Sequence, residues 1–202
     1  KSFVQPIDTI NSIVKGTLNI LEVCRKNEFT GDIFFAGSSE IFGETQSCAD
    51  VNHSQSPVSP YGIAKQTSYN LVKYYREEYK LRCVTGILFN HESYLRGKNF
   101  VTHKIIHGAI NSKKDRSYKL KLGNLNIIRD WGWAEEYIEA MQIISKPSIL
   151  KDYVICTGIA TSLRDFIDIA YKKLDLEWQD HVVSDNELKR NRDIIRSCGD
   201  PK

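Results

Sequence analysis

The stretch Ser38-Ser39-Glu40 places two hydroxyls and a carboxylate directly after an apolar run, "IFF". A second reactive pair follows in "SPYGIAK", where Tyr61 and Lys65 are four residues apart and share one face of a helix. A phenol with a pKa near ~10 is a poor base at neutral pH, but a nearby ammonium favours the phenolate and assists proton transfer. A hydroxyl, a carboxylate and this Tyr/Lys pair could therefore converge on one reacting carbon.

Each of these signals has a plain structural explanation when it stands alone. A Tyr-x-x-x-Lys pair is a chance match in roughly four cases of five, because both residues are common on helix surfaces. A serine after a strand is often a turn or cap residue, and an isolated Glu40 is typical of a solvated loop. The full order of hydroxyl, glutamate, Pro-Tyr-x-x-x-Lys, strand and Asn90 is much harder to obtain by chance.

Alternating helices and strands must position these residues. The spacing of Val14, Leu18 and Leu21 predicts a helix, and "GDIFFAG" after it predicts a short buried strand. The stretches "RCVTGILFN" and "DYVICTG" predict two more strands, and apolar stripes predict helices near residues 64–79, 134–144 and 163–174. This alternation favours an α/β fold with a doubly wound parallel sheet, in which ligands bind beyond the carboxyl ends of the strands.

Residues 92–127 fit the alternation poorly. Only "YKLKLGN" is predicted there, as a lone strand. This region and the basic tail from Lys189 are therefore candidates for a smaller second lobe. Ser162 with Asp165 resembles a capping pair for the helix that follows.

Composition limits the class of protein further. With 41% hydrophobic and 26% charged residues the chain is an ordinary globular protein, and a net charge of +3 is too small to indicate nucleic-acid binding. No apolar run approaches the ~18 residues of a membrane helix. The five cysteines are widely spaced and form no CxxC pair, so we expect neither a disulfide framework nor a zinc site, and we expect a cytoplasmic location. His103 and His107 lack the accompanying carboxylate of a metal motif, so no metal is expected.

The sequence is identified as a member of the extended short-chain dehydrogenase/reductase superfamily, and it closely resembles the GDP-mannose 4,6-dehydratase family. The match is carried by "SSEIFGE", "SPYGIAK", "GILFNHES", "RGKNFVTHKI", "LGNLNIIRDWGWAEEYIEAM" and "YVICTG". Of these, "GILFNHES" and "LGNLNIIRDWG" are specific to the family within the superfamily. The resemblance implies a Rossmann-like fold and an NADP-dependent conversion of GDP-mannose to GDP-4-keto-6-deoxymannose.

The resemblance also implies roles for individual residues. Tyr61 would remove the O4 proton as hydride leaves C4, Lys65 would tune Tyr61 and hold the nicotinamide ribose, and Glu40 would take the C5 proton. Ser38 stands where the family usually has Thr and would hydrogen-bond O4. The further implied contacts are with NADP, from His91 and Arg96, and with the GDP-sugar, from Asn90, Lys104, Arg129, Arg190 and Asp193. An arginine at a phosphate is physically sensible as a bidentate donor.

The implied organisation has two parts. Residues 1–91 and 128–174 would belong to the NADP-binding domain, and residues 92–127 and 175–202 to the GDP-sugar-binding lobe. The 202 residues contain no GxxGxxG, so we expect a fragment that lacks the first strands and the Gly-rich turn of the dinucleotide-binding unit. A homo-oligomer, either dimer or tetramer, is also implied. Leu95 replaces the first of two arginines that relatives use to reach a neighbouring subunit.

Three alternatives stay open at this point. A related nucleotide-sugar reductase or epimerase would share the Tyr/Lys pair but would have no need for Glu40. A GDP-heptose dehydratase would share the whole site. A catalytically silent nucleotide-sugar-binding fragment would result if the Gly-rich turn is absent.

Overall fold

The computed structural model describes residues 2–146, 149–188 and 192–202. The α-helices within these residues are α1 (Pro6–Ile10), α2 (Gly16–Lys26), α3 (Pro60–Tyr79), α4 (Val101–Lys114), α5 (Ala134–Ile144) and α6 (Leu163–Lys172). The strands are β1 (Ile33–Ala36), β2 (Cys83–Leu88), β3 (Asn90–Glu92), β4 (Leu120–Leu122), β5 (Ile128–Trp133), β6 (Tyr153–Ile155), β7 (Ala160–Ser162), β8 (Val182–Ser184) and β9 (Arg196–Ser197). A π-helical turn, Asn11–Lys15, joins α1 to α2.

The central sheet is parallel and has the strand order β1-β2-β6. Strand β2 is buried along its whole length, because it pairs on both sides and consists of apolar and small residues. The predicted helices and the three predicted strands are confirmed, and the α/β class with them.

A four-stranded sheet and a two-stranded sheet complete the fold. Strand β5 pairs in parallel with β3 and β9 and antiparallel with β7, while β4 and β8 form a separate parallel pair. The carboxyl ends of β1 and β2 and the start of β3 therefore come together near one edge, where the loops after them carry polar side chains. No helix among the described residues is both long enough and apolar enough to cross a membrane.

The sequence prediction for residues 92–127 was incomplete. The lone strand is present as β4, but the helix α4 was missed. One reason is Gly108, which weakens the helical pattern by ~1 kcal/mol relative to alanine. The structure needs that glycine, because a Cβ there would lie 2.6 Å from the Leu120 side chain. Packing between α4 and β4 therefore overrides the local preference.

The apolar core consists of several clusters. The largest joins α4, β4, α6 and β8 and is built from Ile105, Ala109, Leu120, Leu122, Leu125, Leu163, Ile167, Tyr171, Leu176 and Val182. Three further clusters lie around the parallel sheet and its covering helices. The division of the chain at residues 91, 128 and 174 stays a prediction, and we note only that α6 shares its core with α4 and β4.

The C-terminal segment returns to the loop that follows Glu40. Backbone hydrogen bonds join Thr45 and Ala49 to residues 196–200, and the Glu44 carboxylate accepts the amides of Ile195 (2.7 Å) and Arg196 (2.8 Å). These contacts bring Cys48 and Cys198 together as a disulfide. The expectation of no disulfide was therefore wrong, because the partners are 150 residues apart and only the tertiary pairing makes them neighbours. The cytoplasmic location, which rested on the cysteine pattern, stays a prediction.

Candidate active site

The residues that follow β1 form a single turn of 3-10 helix, Ser39–Ile41. Ser38 is its N-cap: its Oγ accepts the amide of Glu40 at 3.3 Å, which is how a short polar side chain satisfies an amide that has no helical partner. Ser38 and Ser39 are both buried, and Ile41 packs in the core. The turn therefore fixes the backbone of Glu40 at the carboxyl end of the sheet.

Glu40 is tied to the N-terminus of α3 by Ser59. The Ser59 hydroxyl donates to Glu40 Oε2 at 2.7 Å and accepts the amide of Gly62 at 2.9 Å. Pro60 occupies the first helical position, where a missing N–H does no harm. Gly62 is required by the close approach, since a Cβ there would lie 2.8 Å from the Glu40 carbonyl oxygen. The start of α3 and the Glu40 turn are therefore packed directly on each other.

Tyr61 lies at the same end of α3, within reach of the Ser38 side chain. Burial raises the pKa of Tyr61; interaction with Ser38 opposes this, the Glu40 charge adds to it, and Arg96 lowers it. The sequence reasoning emphasised a phenolate favoured by Lys65, whereas here desolvation dominates and the phenol is protonated at neutral pH. Tyr61 consequently needs additional positive charge beside it before it can act as a base.

Lys65 lies one turn further along α3. Its Nζ is 5.7 Å from the centre of the Tyr61 ring and donates to the carbonyl oxygen of Ala36 at 2.7 Å. Burial lowers the pKa of Lys65. An ammonium has three protons to donate, and within the described part of the chain Ala36 accepts one of them. Lys65 can therefore hold an oxygen-rich ligand next to Tyr61.

His91 and Arg96 lie after β2, close to the same edge. His91 Nδ1 is 2.8 Å from the carbonyl oxygen of Phe89, so Nδ1 carries a proton and donates it to that oxygen, while Nε2 stays available for a ligand. The His91 ring also stacks on Tyr137, with 4.8 Å between ring centres. Arg96 pairs with Glu92 at 3.1 Å, a charge contact without aligned hydrogen-bond geometry at Nε.

The Arg96 guanidinium also covers the Phe100 ring, 3.5 Å from its centre. Glu92 in turn accepts the hydroxyl of Thr102 at 2.8 Å, so one carboxylate fixes both the arginine and the start of α4. Sequence reasoning assigned no role to Glu92. The electrostatic effect of Arg96 on Tyr61 places this arginine within range of the catalytic candidates.

The residues predicted to hold the GDP-sugar are spread over several elements. Asn90 starts β3, opposite Trp131, and Lys104 is exposed on α4. The Arg129 guanidinium on β5 donates to the carbonyl oxygens of Ile128, Ile194 and Ile195. Asp193, which directly precedes Ile194, is half-buried. Arg190 lies outside the described residues. Their predicted roles stay predictions.

Asp130 is a buried residue that sequence reasoning did not single out, although it lies within the motif "RDWG". Its carboxylate is fully buried and accepts four hydrogen bonds, from the Thr157 amide and hydroxyl, the Gly158 amide and the Gly199 amide, at 2.7–3.3 Å. It thereby joins β5 to the loop after β6 and to the C-terminal segment. No local pattern in the sequence predicts these partners, because they are 27 or more residues away from Asp130.

The carboxyl edge of the parallel sheet carries a serine, a glutamate and a helix with a Tyr/Lys pair. This arrangement is typical of the Rossmann-like extended dehydrogenase/reductase class. Two solved structures share this fold. The dTDP-glucose 4,6-dehydratase DesIV from Streptomyces venezuelae, solved with NAD, gives a TM-score of 0.85 at 17% identity, covering 99% of this chain and 60% of that one. RMD from Pseudomonas aeruginosa, complexed with NADPH, also gives 0.85, at 20% identity, covering 99% and 67%.

Within this class the family is shown by the sequence comparisons. The family model for GDP-mannose 4,6 dehydratase matches residues 1–202, so the chain belongs to that family. GDP-mannose 4,6 dehydratase 1 of Arabidopsis thaliana is 36% identical over 203 residues, covering 98% of this chain and 56% of that protein. The chain spans about half the length of the curated relatives it matches.

Proposed function

We propose that this chain carries the proton-transfer site of a GDP-mannose 4,6-dehydratase. The observation that carries the proposal is the joint placement of Glu40 and Tyr61: the Ser59 hydroxyl ties the Glu40 carboxylate to the first turn of α3, the turn that carries Tyr61. Family membership supports GDP-mannose as the substrate. Reductases and epimerases of the class need the tyrosine but have no use for a base directed at C5.

The residues of the site fit a nicotinamide dinucleotide. Among the described residues Lys65 gives one of its three N–H donors to Ala36, and the bond to Phe89 holds the His91 ring in a fixed orientation. We propose that Tyr61 and Lys65 contact the nicotinamide ribose and that Arg96 contacts a phosphate. When bound, NADP⁺ accepts a hydride from C4 and returns it to C6. Solved structures of the class contain NAD or NADPH, which supports a nicotinamide cofactor, and the choice of NADP is part of the proposal.

The chain's own residues then move protons. Ser38 and Tyr61 bond O4. The Lys65 ammonium and the positive charge of the oxidised nicotinamide beside Tyr61 would lower its pKa, so that Tyr61 takes the O4 proton as the C4 carbonyl forms. That carbonyl makes the C5 proton acidic, so that Glu40 can remove it. Glu40 gives a proton to the C6 hydroxyl, which leaves as water. When hydride returns to C6, C5 regains a proton from Tyr61, the one that Tyr61 took from O4. The sugar loses one water and the cofactor ends in its original oxidation state.

The test uses the intact protein with NADP⁺ and GDP-mannose. The expected product is the 4-keto-6-deoxy sugar nucleotide, identified by its mass, 18 less than that of the substrate. Glu40→Gln is expected to bind GDP-mannose normally and to abolish water loss. Full turnover by Glu40→Gln would refute the proposed mechanism. A product of unchanged mass with inverted C4 would show an epimerase instead.

A further inference from the structure

The Ser59 hydroxyl takes part in two hydrogen bonds, one of which reaches Glu40. The Ser59 oxygen accepts the amide of Gly62, and an amide can only donate. The hydroxyl has one proton, and the oxygen that receives it is Oε2 of Glu40, at 2.7 Å. A carboxylate oxygen can only accept, so the direction of both hydrogen bonds is fixed. Ser59 is buried, so water does not compete freely for either bond.

This arrangement orients Glu40, because the Ser59 hydroxyl holds Oε2 of Glu40 at the N-terminus of α3. The bond also restricts the rotation of the side chain, because the turn at Ser39–Ile41 and the start of α3 hold its two ends.

We propose that Ser59 is a positioning residue for Glu40: it caps α3 and, through the same oxygen, aims the Glu40 carboxylate. The proposal rests on the proposed function, because it assumes that Glu40 removes the C5 proton. It assigns Ser59 no contact with the substrate. Its loss should therefore affect the C5 step and leave C4 oxidation intact.

The experiment compares four variants of the intact protein. Ser59→Ala removes the hydroxyl and the cap, Ser59→Gly removes the hydroxyl at a position where glycine is tolerated as a cap, and Ser59→Thr keeps the hydroxyl. Ser162→Ala is the matched control, because Ser162 caps α6 by the same geometry, accepting the amide of Asp165, without contacting Glu40.

Two rates are measured in single turnovers with NADP⁺ and GDP-mannose: the absorbance rise that reports C4 oxidation, and deuterium exchange at C5. For Ser59→Ala and Ser59→Gly we expect the exchange rate to fall about 10- to 100-fold relative to C4 oxidation, with an unchanged KM for GDP-mannose, because one hydrogen bond to a charged group is lost. Ser59→Thr should restore the ratio, and Ser162→Ala should not change it.

The outcomes separate the two proposals. If wild-type protein forms no 4-keto-6-deoxy product, the proposed function fails. If wild-type protein is active and the Ser59→Ala and Ser59→Gly variants keep the wild-type ratio of C5 exchange to C4 oxidation, the positioning role is refuted. A parallel loss of both rates in Ser59→Gly would also refute it, since that result indicates a purely structural cap.

Discussion

Replacement of Asp130 by asparagine tests how far one buried carboxylate stabilises the fold. One oxygen accepts the Thr157 amide and hydroxyl, and the other accepts the amides of Gly158 and Gly199. An asparagine can keep its oxygen facing the two glycines, but its NH₂ then faces Thr157. The Thr157 hydroxyl can rotate to accept, whereas the Thr157 amide loses its partner inside the protein.

The magnitude follows from these contacts. An orphaned buried amide costs about 1–3 kcal/mol, and loss of the charge weakens the two bonds to the glycines by about 0.5 kcal/mol each. We therefore expect Asp130→Asn to lower the free energy of unfolding by about 2–4 kcal/mol, measured by urea unfolding at pH 7.

The control is Asp168→Asn on α6, which removes only a partly exposed ion pair with Lys172 at 2.8 Å. A change within about 0.5 kcal/mol is expected for that variant. An Asp130→Asn protein within 1 kcal/mol of wild type would contradict the reasoning, since it would mean that the four hydrogen bonds have no net value.

Three further predictions concern stability. Cys198→Ser, or reduction of the disulfide, should lower the free energy of unfolding by up to about 5 kcal/mol in urea, because the crosslink spans 150 residues; no change would contradict it. Arg76→Met should cost about 3–5 kcal/mol by the same measurement, since it leaves the buried Asp152 carboxylate unpaired, and adding Asp152→Asn should recover part of the loss. The Arg25 guanidinium and the Tyr75 hydroxyl both donate hydrogen bonds to the Glu22 carboxylate. The first and then the second of these bonds hold the pKa of Glu22 at about 2. Because this folded-state pKa is depressed below the ordinary 4.5, the stabilisation is present above pH 4.5 and lost as pH falls towards 2, and Glu22→Gln should flatten that part of the stability curve against pH.

Much of the fold was available from local patterns. Three features could be predicted because each involves residues within or next to one element. They are the helical spacing around Leu18 and Leu21, the apolar run before Gly37 and the capping pair Ser162/Asp165. Helix α4 was missed because the need for glycine at position 108 comes from the close contact with Leu120, a residue of another element.

The candidate site divides along the same line. The residue types and their spacing predict which chemistry is available: the hydroxyl and carboxylate after β1, and the Tyr61/Lys65 pair one turn apart on α3. How these groups are held depends on the packing of separate elements. The Ser59 bond to Glu40, the burial that raises the pKa of Tyr61, and the Asp130 carboxylate that accepts amides from two segments all depend on contacts between residues that are separated along the chain. Side-chain hydrogen bonds and desolvation act through space, so no spacing along the chain can report them.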